Sequence, residues 1–442
     1  MRVAIIGGKL QGVEATYLAK KAGWEVVLFD RRELAQASRL ADRFHCMDIL
    51  ACTKEFISCL DGIDVILPAI EDREVLRALQ EISTMTKIPL AFDPVAYSVS
   101  SSKRISNRLF RDWEVPSPRP WPECNFPILL KPSDRSGSEG VRVIHTREEL
   151  DDIQGSNLNE DWIIEEYLEG PSYSIEVFGF AGEYRVFQIT QLEMDGQYDC
   201  KRVLAPAELD YSLMTQFEEL ALKLANELSL NGIMDVETIL HDGKLKVLEI
   251  DARLPSQTPT AVYHSSGINM VECLGYSFVQ GNLYVPIPKW PAQNERYVIY
   301  EHFLVTKEKI ETSGEHILAQ AGPLRLLTDF FGADEVLTDY TPDKKEWVLT
   351  LITRGESIED TRKKRDKVLQ SIQEKFEIPK VLDPYPMSLN KELNSYDPSQ
   401  RKRYQLNCPA NEGVQRRVSA KDRSYTFRYR SPCCWNALYR RA

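Results

Sequence analysis

The first 95 or so residues alternate short apolar runs with amphipathic ones. Residues 3–6, 25–29 and 64–69 read as buried strands, and helices are expected from the Gly7–Gly12 turn to about residue 22 and over 73–84. Strands alternating with helices predict a parallel sheet covered on both faces. A further helix is expected over 98–111, with serines to cap it, and Pro116, Pro118, Pro120 and Pro122 read as a stiff linker. Strands then flank the polar loop 133–140, at 126–132 and 141–145. A strand over 161–171 breaks into a turn, and strand 173–179 and helix 211–228 follow. Residues 255–260 hold too much Pro, Ser and Thr for regular structure, and helix 270–278 closes this part. Strands 296–305 and 346–353 and a charged helix over 357–376 complete the periodic sequence.

Two β-rich runs, 232–240 and 245–253, are joined by Asp242-Gly243 and predict a hairpin. Pairing Glu237 with Glu249 also sets Asp235 opposite Asp251, and it requires an odd loop, most simply 242–244. A two-residue loop would instead pair Glu249 with Val236 and send the two glutamates to opposite faces. In the chosen register Val236, Thr238, Leu248 and Ile250 form a core face. Asp235, Glu237, Glu249 and Asp251 share the other face, with Arg253 one step beyond. Opposed like charges destabilise a sheet and raise one another's pKa unless a cation sits among them. Oxygen ligands on two rigid strands suit Mg²⁺ held together with substrate phosphates. A solvated strand face with ordinary salt bridges is the plain alternative.

These segments suggest four regions: 1–97, an α/β domain; 98–285, carrying the hairpin; 286–380, small and β-rich; and 381–442, a tail. Between 388 and 442 there are 12 Lys and Arg against 4 Asp and Glu and no hydrophobic periodicity, so the tail reads as disordered or appended. The net charge of −11 argues against nucleic acid as a partner of the whole chain. Nine scattered cysteines with no Cys-x-x-Cys spacing fit reduced thiols in a cytoplasm, with no zinc site. Neither a signal peptide nor a membrane span is expected.

Lys131 ends a strand that runs into a Ser/Gly loop containing Ser136 and Ser138, an arrangement suited to closing over phosphates, though it is not a P-loop. Lys103 sits in a first helical turn, where the dipole disfavours it, so it serves something else. The turn Gly7-Gly8-Lys9-Leu10-Gln11-Gly12 departs from the dinucleotide pattern, but with Asp30 at the end of the next strand it remains a place for a phosphate or a small substrate.

In order, Lys103, the Leu129-Leu130-Lys131-Pro132 strand, the Glu165-Glu166-Tyr167-Leu168 segment, and Glu237 twelve residues before Glu249-Ile250-Asp251-Ala252-Arg253 resemble the ATP-grasp carboxylate–amine ligases over roughly residues 1–375. The family has Asn where Asp251 stands, which adds a negative charge. The resemblance implies an α/β (α+β) ATP-grasp fold with a parallel-sheet N-terminal domain and a small β-rich C-terminal one. It implies ATP and Mg²⁺, with Lys103, Lys131, Ser136 and Ser138 on the phosphates and Glu165, Glu166, Tyr167 and Leu168 around adenine and ribose. Lys9 and Asp30 are placed with the nucleotide as well. It makes Glu237, Glu249 and Asp251 the metal ligands and assigns Arg253 and Lys131 to catalysis. A finer likeness within the family, carried by the glycine turn, 232–237, 249–263, 265–269 and 300–302, implies two amino acids with cationic amines as substrates. Leu10, Gln11, Glu71 and Glu301 would surround one, and Ser174, Ile175, Glu176, Asp235, Arg253 and Ser256 the other, with Asp72 a further acid nearby. A homodimer is the family-level expectation, the sequence shows no obvious general base, and the histidines are read as structural or exposed. The nearest rival is another ATP-grasp enzyme that ligates or carboxylates a different small amino acid or purine intermediate. A rival of another class is a nucleotide-binding regulator that keeps the fold, against which the retained Arg253 argues.

Overall fold

The structure, a computed structural model, describes residues 1–133, 140–154, 162–286 and 296–384. Ser136, Ser138 and the basic tail therefore lie outside the described residues. Strands β1 (Arg2–Ile6), β2 (Glu25–Asp30), β3 (Arg43–Cys46) and β4 (Val65–Pro68) form a parallel sheet in the order β3-β2-β1-β4. Strand alternation sends Ala4, Ile6, Val27 and Phe29 to one face and Val3, Ile5, Val26 and Leu28 to the other. α1 (Leu10–Lys21) covers the second face, and α2 (Thr53–Cys59) and α3 (Arg73–Thr86) cover the first. Asp72 caps α3, accepting from the amides of Glu74 and Val75. The chain order reverses between β1 and β4, and at their carboxyl ends lie the glycine turn, Asp30 and Glu71. That turn has no room for side chains: a Cβ on Gly7 (φ +102°) would lie 2.4 Å from the Ala69 carbonyl oxygen.

The single helix expected over 98–111 is two, α4 (Pro94–Ser100) and α5 (Lys103–Asp112). Ser102 holds the N-cap position of α5 without a side-chain bond. Instead Ser133, at the end of the next sheet, accepts from the Lys103 amide through its carbonyl (3.0 Å) and from the Arg104 amide through its hydroxyl (3.2 Å). Capping from a distant strand breaks the helix there and carries Lys103 toward Lys131. The sheet concerned is β6-β5-β7, antiparallel, made of β5 (Ile128–Pro132), β6 (Arg142–Ile144) and β7 (Trp162–Glu166), with α6 (Arg147–Gln154) between β6 and β7 in sequence.

A twelve-stranded sheet carries the rest. It contains β8 (Ser172–Phe180), β9 (Glu183–Val186), β10 (Thr190–Met194) and β11 (Cys200–Ala205), followed by helix α7 (Tyr211–Glu227) and the hairpin β12 (Gly232–His241) and β13 (Lys244–Asp251). After α8 (Thr258–Ser266) and α9 (Met270–Gln280) come β14 (Tyr297–Val305), β15 (Ile310–Thr312), β16 (Arg325–Thr328), β17 (Glu335–Thr338) and β18 (Trp347–Gly355). Helix α10 (Ile358–Phe376) and β19 (Val381–Leu382) end the described chain. The main path is β13-β12-β8-β10-β11-β14-β18-β17-β16. α7 packs on its hairpin end through Phe217, Ala221 and Leu224, and α10 on its other end through Val368, Leu369 and Ile372.

Two more expectations need correction. Residues 255–260 are not all loop: α8 begins at Thr258 with Pro259 in its first turn, where a missing N–H costs nothing. The hairpin loop is two residues, Asp242 (φ +49°) and Gly243 (φ +73°), and not three. Near the turn His241 pairs with Lys244 and Thr238 with Val247, whereas beyond it Glu237 pairs with Glu249 and Asp235 with Asp251. A bulge at Leu248 absorbs the extra residue. The acids therefore pair as expected, while Val247 replaces Leu248 in the core.

Candidate active site

β12 and β13 place Asp235, Glu237, Glu249 and Asp251 on one face, and antiparallel β8 adds Ser174 opposite Glu237 and Glu176 opposite Asp235. Ile175, one residue out of phase, points into the core beneath. Burial, then the charges of Glu249 and Asp251, pushes the Glu237 carboxyl up to about 8. Burial likewise raises Glu176 to about 7 and Asp235 well above its ordinary range, and it lifts Asp251 to about 6 despite Arg253. Burial would raise Glu249 too, but the Lys103 ammonium at 2.8 Å outweighs it and holds that carboxyl low.

Lys131 Nζ lies 2.6 Å from Glu165, which also accepts from the Asn107 amide nitrogen at 2.9 Å. Arg119 (2.8 Å) and Lys246 (2.7 Å) grip Glu166 and, against the effect of burial, pull its carboxyl down to about 2. Leu168 is buried beyond them and Tyr167 half-buried. Arg253 leaves β13 to meet Asp251 (3.0 Å) and Glu71 (2.7 Å), and Gln11 donates to Glu71 at 2.8 Å.

These last residues open onto a cavity of about 680 Å³ between the ends of the parallel strands and the large sheet. Lys9, Leu10, Gln11, Asp30, Glu71, Arg253 and Ser256 are all in its lining. Asp30 is already engaged, accepting from the Gly8 amide (2.7 Å) and pairing with Arg32 (2.8 Å). Glu301 is elsewhere: fully buried, it is held by Arg202 (2.8 Å) and Arg365 (2.7 Å). Among the cavity residues that the sequence did not point to are Asp199, Glu315 and His316. Glu315 accepts from the Ser256 hydroxyl (2.7 Å) and the Gln257 amide nitrogen (3.0 Å), and burial raises its carboxyl. These three lie between strands in sequence, Asp199 33 residues before the hairpin and the other two more than 60 after it, and no local pattern marks them.

The acid face fits a divalent cation, since its donors are all oxygens and three of its paired acids are held partly protonated without one. That protonation has a measurable sign. Glu237 and Asp251 keep, in the folded chain, protons that the unfolded chain loses near pH 4–5, so stability should fall as pH rises from about 5 to about 8. A cation needs the deprotonated acids, so the stabilisation added by Mg²⁺ should grow over the same interval. Thermal melts across it, with and without Mg²⁺, check this; a Mg²⁺ increment that does not change with pH would remove the acids from cation binding.

A lysine-bearing three-stranded sheet set against a larger sheet whose end hairpin is lined with carboxylates is the architecture of an ATP-grasp enzyme. Residues 100–257 match the ATP-grasp domain and residues 3–89 the PylC-like N-terminal domain. The chain is 37% identical over 375 residues to the 3-methyl-D-ornithine–L-lysine ligase of Methanosarcina mazei, covering 85% of this chain and 96% of that protein. It is 35% identical to the ligase of the same name from Methanosarcina acetivorans, covering 85% and 98%. In fold it is similar to the biotin carboxylase domain of Hydrogenobacter thermophilus 2-oxoglutarate carboxylase (TM-score 0.65, 15% identity, 84% of this chain and 89% of that one). The chain belongs to the ATP-grasp family, among the ATP-dependent carbon–nitrogen ligases with a PylC-like N-terminal domain. Among the described residues no helix is long and apolar enough to cross a membrane.

Proposed function

We propose that the chain joins the carboxylate of 3-methyl-D-ornithine to the ε-amine of L-lysine, through an acyl-phosphate and with Mg²⁺, in the cytoplasm. The observation that carries this reading is the acidic cavity beside the carboxylate hairpin, in a chain similar along nearly its whole periodic length to ligases of that name. Two substrates with cationic amines need carboxylates beyond those that hold a metal. Glu71 and Glu315 supply them around the cavity, and Glu176 and Asp235 along β8 and β12.

In this reading Lys103 and Lys131, which meet Glu249 and Glu165 in the structure, bind phosphates. The Tyr167–Leu168 backbone is assigned to adenine, because Glu166 is already held by Arg119 and Lys246. Glu237, Glu249 and Asp251 would hold Mg²⁺, which supplies charge neutralisation during phosphoryl transfer. Arg253, anchored by Asp251 and Glu71, steadies the acyl-phosphate and then the oxyanion. The work divides among residues 1–97, 98–285 and 286–380, and the tail from 381 has no assigned part.

The test is ADP release with Mg²⁺-ATP and a panel of amino-acid pairs, with products identified by mass. Release confined to D-ornithine or its 3-methyl form plus L-lysine, with an amide product, is the expected result. Release with another pair would replace the substrates and keep the chemistry; tight ATP binding without release would leave a regulator.

A further inference from the structure

The attacking ε-amine of an amino acid is an ammonium near neutral pH and must lose a proton before it can form an amide. Of the cavity's described lining, His316 is the single imidazole. It sits in the 3₁₀ segment Glu315–Gln320, whose first turn faces Ser256 and Arg253. Its Nδ1 lies 2.6 Å from Asp199 Oδ2, and the same oxygen accepts from the His316 amide at 2.9 Å. A proton on Nδ1 shared with Asp199 leaves Nε2 bare and able to accept one. The described neighbour of Nε2, the Ser313 hydroxyl, is 3.5 Å away, too far to hold it firmly.

Asp195, Asp199 and His316 also bring ligand atoms within 4.8 Å of one another, as a cation site would. Their bonding argues for the other use. Asp195 accepts from the amides of Gln197 (2.8 Å), Asp199 (3.1 Å) and Gly314 (2.9 Å), so its carboxylate is spent tying the β10–β11 turn to the segment before His316. The approach is so close that a Cβ on Gly314 would lie 2.3 Å from Asp199 Oδ2. This is a clasp that fixes a histidine and its carboxylate in one orientation.

We propose that His316, oriented by Asp199, is the general base that deprotonates the amine substrate; this rests on the ligase reading above. The Nε2 lone pair takes one proton from the ammonium and passes it to water. The freed amine nitrogen forms the bond to the acyl carbon, the carbon–oxygen bond to phosphate breaks, and the nitrogen's second proton leaves with the phosphate. Acyl-phosphate and ammonium thus become amide, hydrogen phosphate and one released proton, in balance. The charged and titratable groups around His316 are Asp199 and Asp195 in the clasp, Glu315 beside it, and Arg253, Glu71, Asp72, Lys9, Asp30, Arg31, Arg32 and Asp48 in the same cavity lining. His302 lies behind the segment; burial, with the charge of His316, pushes it down to about 3, so it does not compete for the proton.

Hydroxylamine tests this directly, because it is an unprotonated nucleophile at neutral pH and needs no base. At about pH 7, with Mg²⁺-ATP and the ornithine substrate, His316→Gln should form amide with L-lysine about 100-fold more slowly than wild type, while hydroxamate forms within about twofold of it. The amide deficit should shrink as pH approaches the amine's own range near 10. Asp199→Asn should lose about tenfold, with the same recovery at high pH. Hydroxamate formation also reports that each variant is folded. Amide and hydroxamate falling together, or a deficit that does not change with pH, overturns the assignment. A wild-type chain that makes neither product overturns the ligase reading instead.

Discussion

Glu249→Gln is expected to lower ATP-dependent ligation by about a thousandfold, the scale of losing one preorganised charge-stabilising group at a phosphoryl-transfer site. Glutamine keeps the volume of the side chain and can still accept from Lys103. It removes one negative charge from a face where Asp235, Glu237 and Asp251 already repel one another. The two effects on stability oppose: the Lys103 pair at 2.8 Å is weakened, while the charge that helps push Glu237 up to about 8 is gone. The melting temperature without Mg²⁺ should therefore change little, and the stabilisation by Mg²⁺ should shrink with the activity. ADP release and melts with and without Mg²⁺ measure both. Activity within tenfold of wild type would remove Glu249 from the reaction.

Glu301→Gln is expected to act on the fold. Both Glu301 oxygens are used, Oε1 by Arg365 Nε at 2.7 Å and Oε2 by Arg202 Nε at 2.8 Å, in a cluster that also holds Asp383 against Arg202 and Lys201 at 2.6 Å each. Three cations, Arg202, Arg365 and Lys201, meet three carboxylates, Glu301, Asp383 and Glu193. Breaking a buried set of this kind leaves a positive charge unpaired at a cost of about 3–5 kcal/mol. Urea unfolding should show that loss, with the KM for the amine substrate unchanged at a temperature where the variant is folded. A raised KM at unchanged stability would instead make Glu301 a substrate contact.

The chain by itself determined much of its secondary structure and the chemistry of its hairpin. Strand and helix periods are local, so β1, β2 and β4, the helix after Arg73 and the strands around Lys131 are legible residue by residue. The facing of Glu237 with Glu249 followed from a period of two and the need for an apolar face. Even there the loop is two residues and not three, because a bulge at Leu248 depends on how β13 packs against its neighbours and not on the turn residues.

Only the tertiary structure decided what is held together by distant parts of the chain. The break before Lys103 exists because Ser133, thirty residues on, caps the second helix. Helix α9 reads as closing the central region, yet it packs against α1 and Trp24 on the parallel sheet, where Gly275 admits the indole. The resemblance places Glu301 around a cationic substrate, whereas its cations are two arginines of the chain, 99 residues before it and 64 after. His316 and Asp199 gained their relation in the same way, through backbone amides that join a hairpin turn to a segment 117 residues later. A residue's own period tells which face it occupies, whereas its partner across a cavity is set by sheet order, which no local pattern encodes.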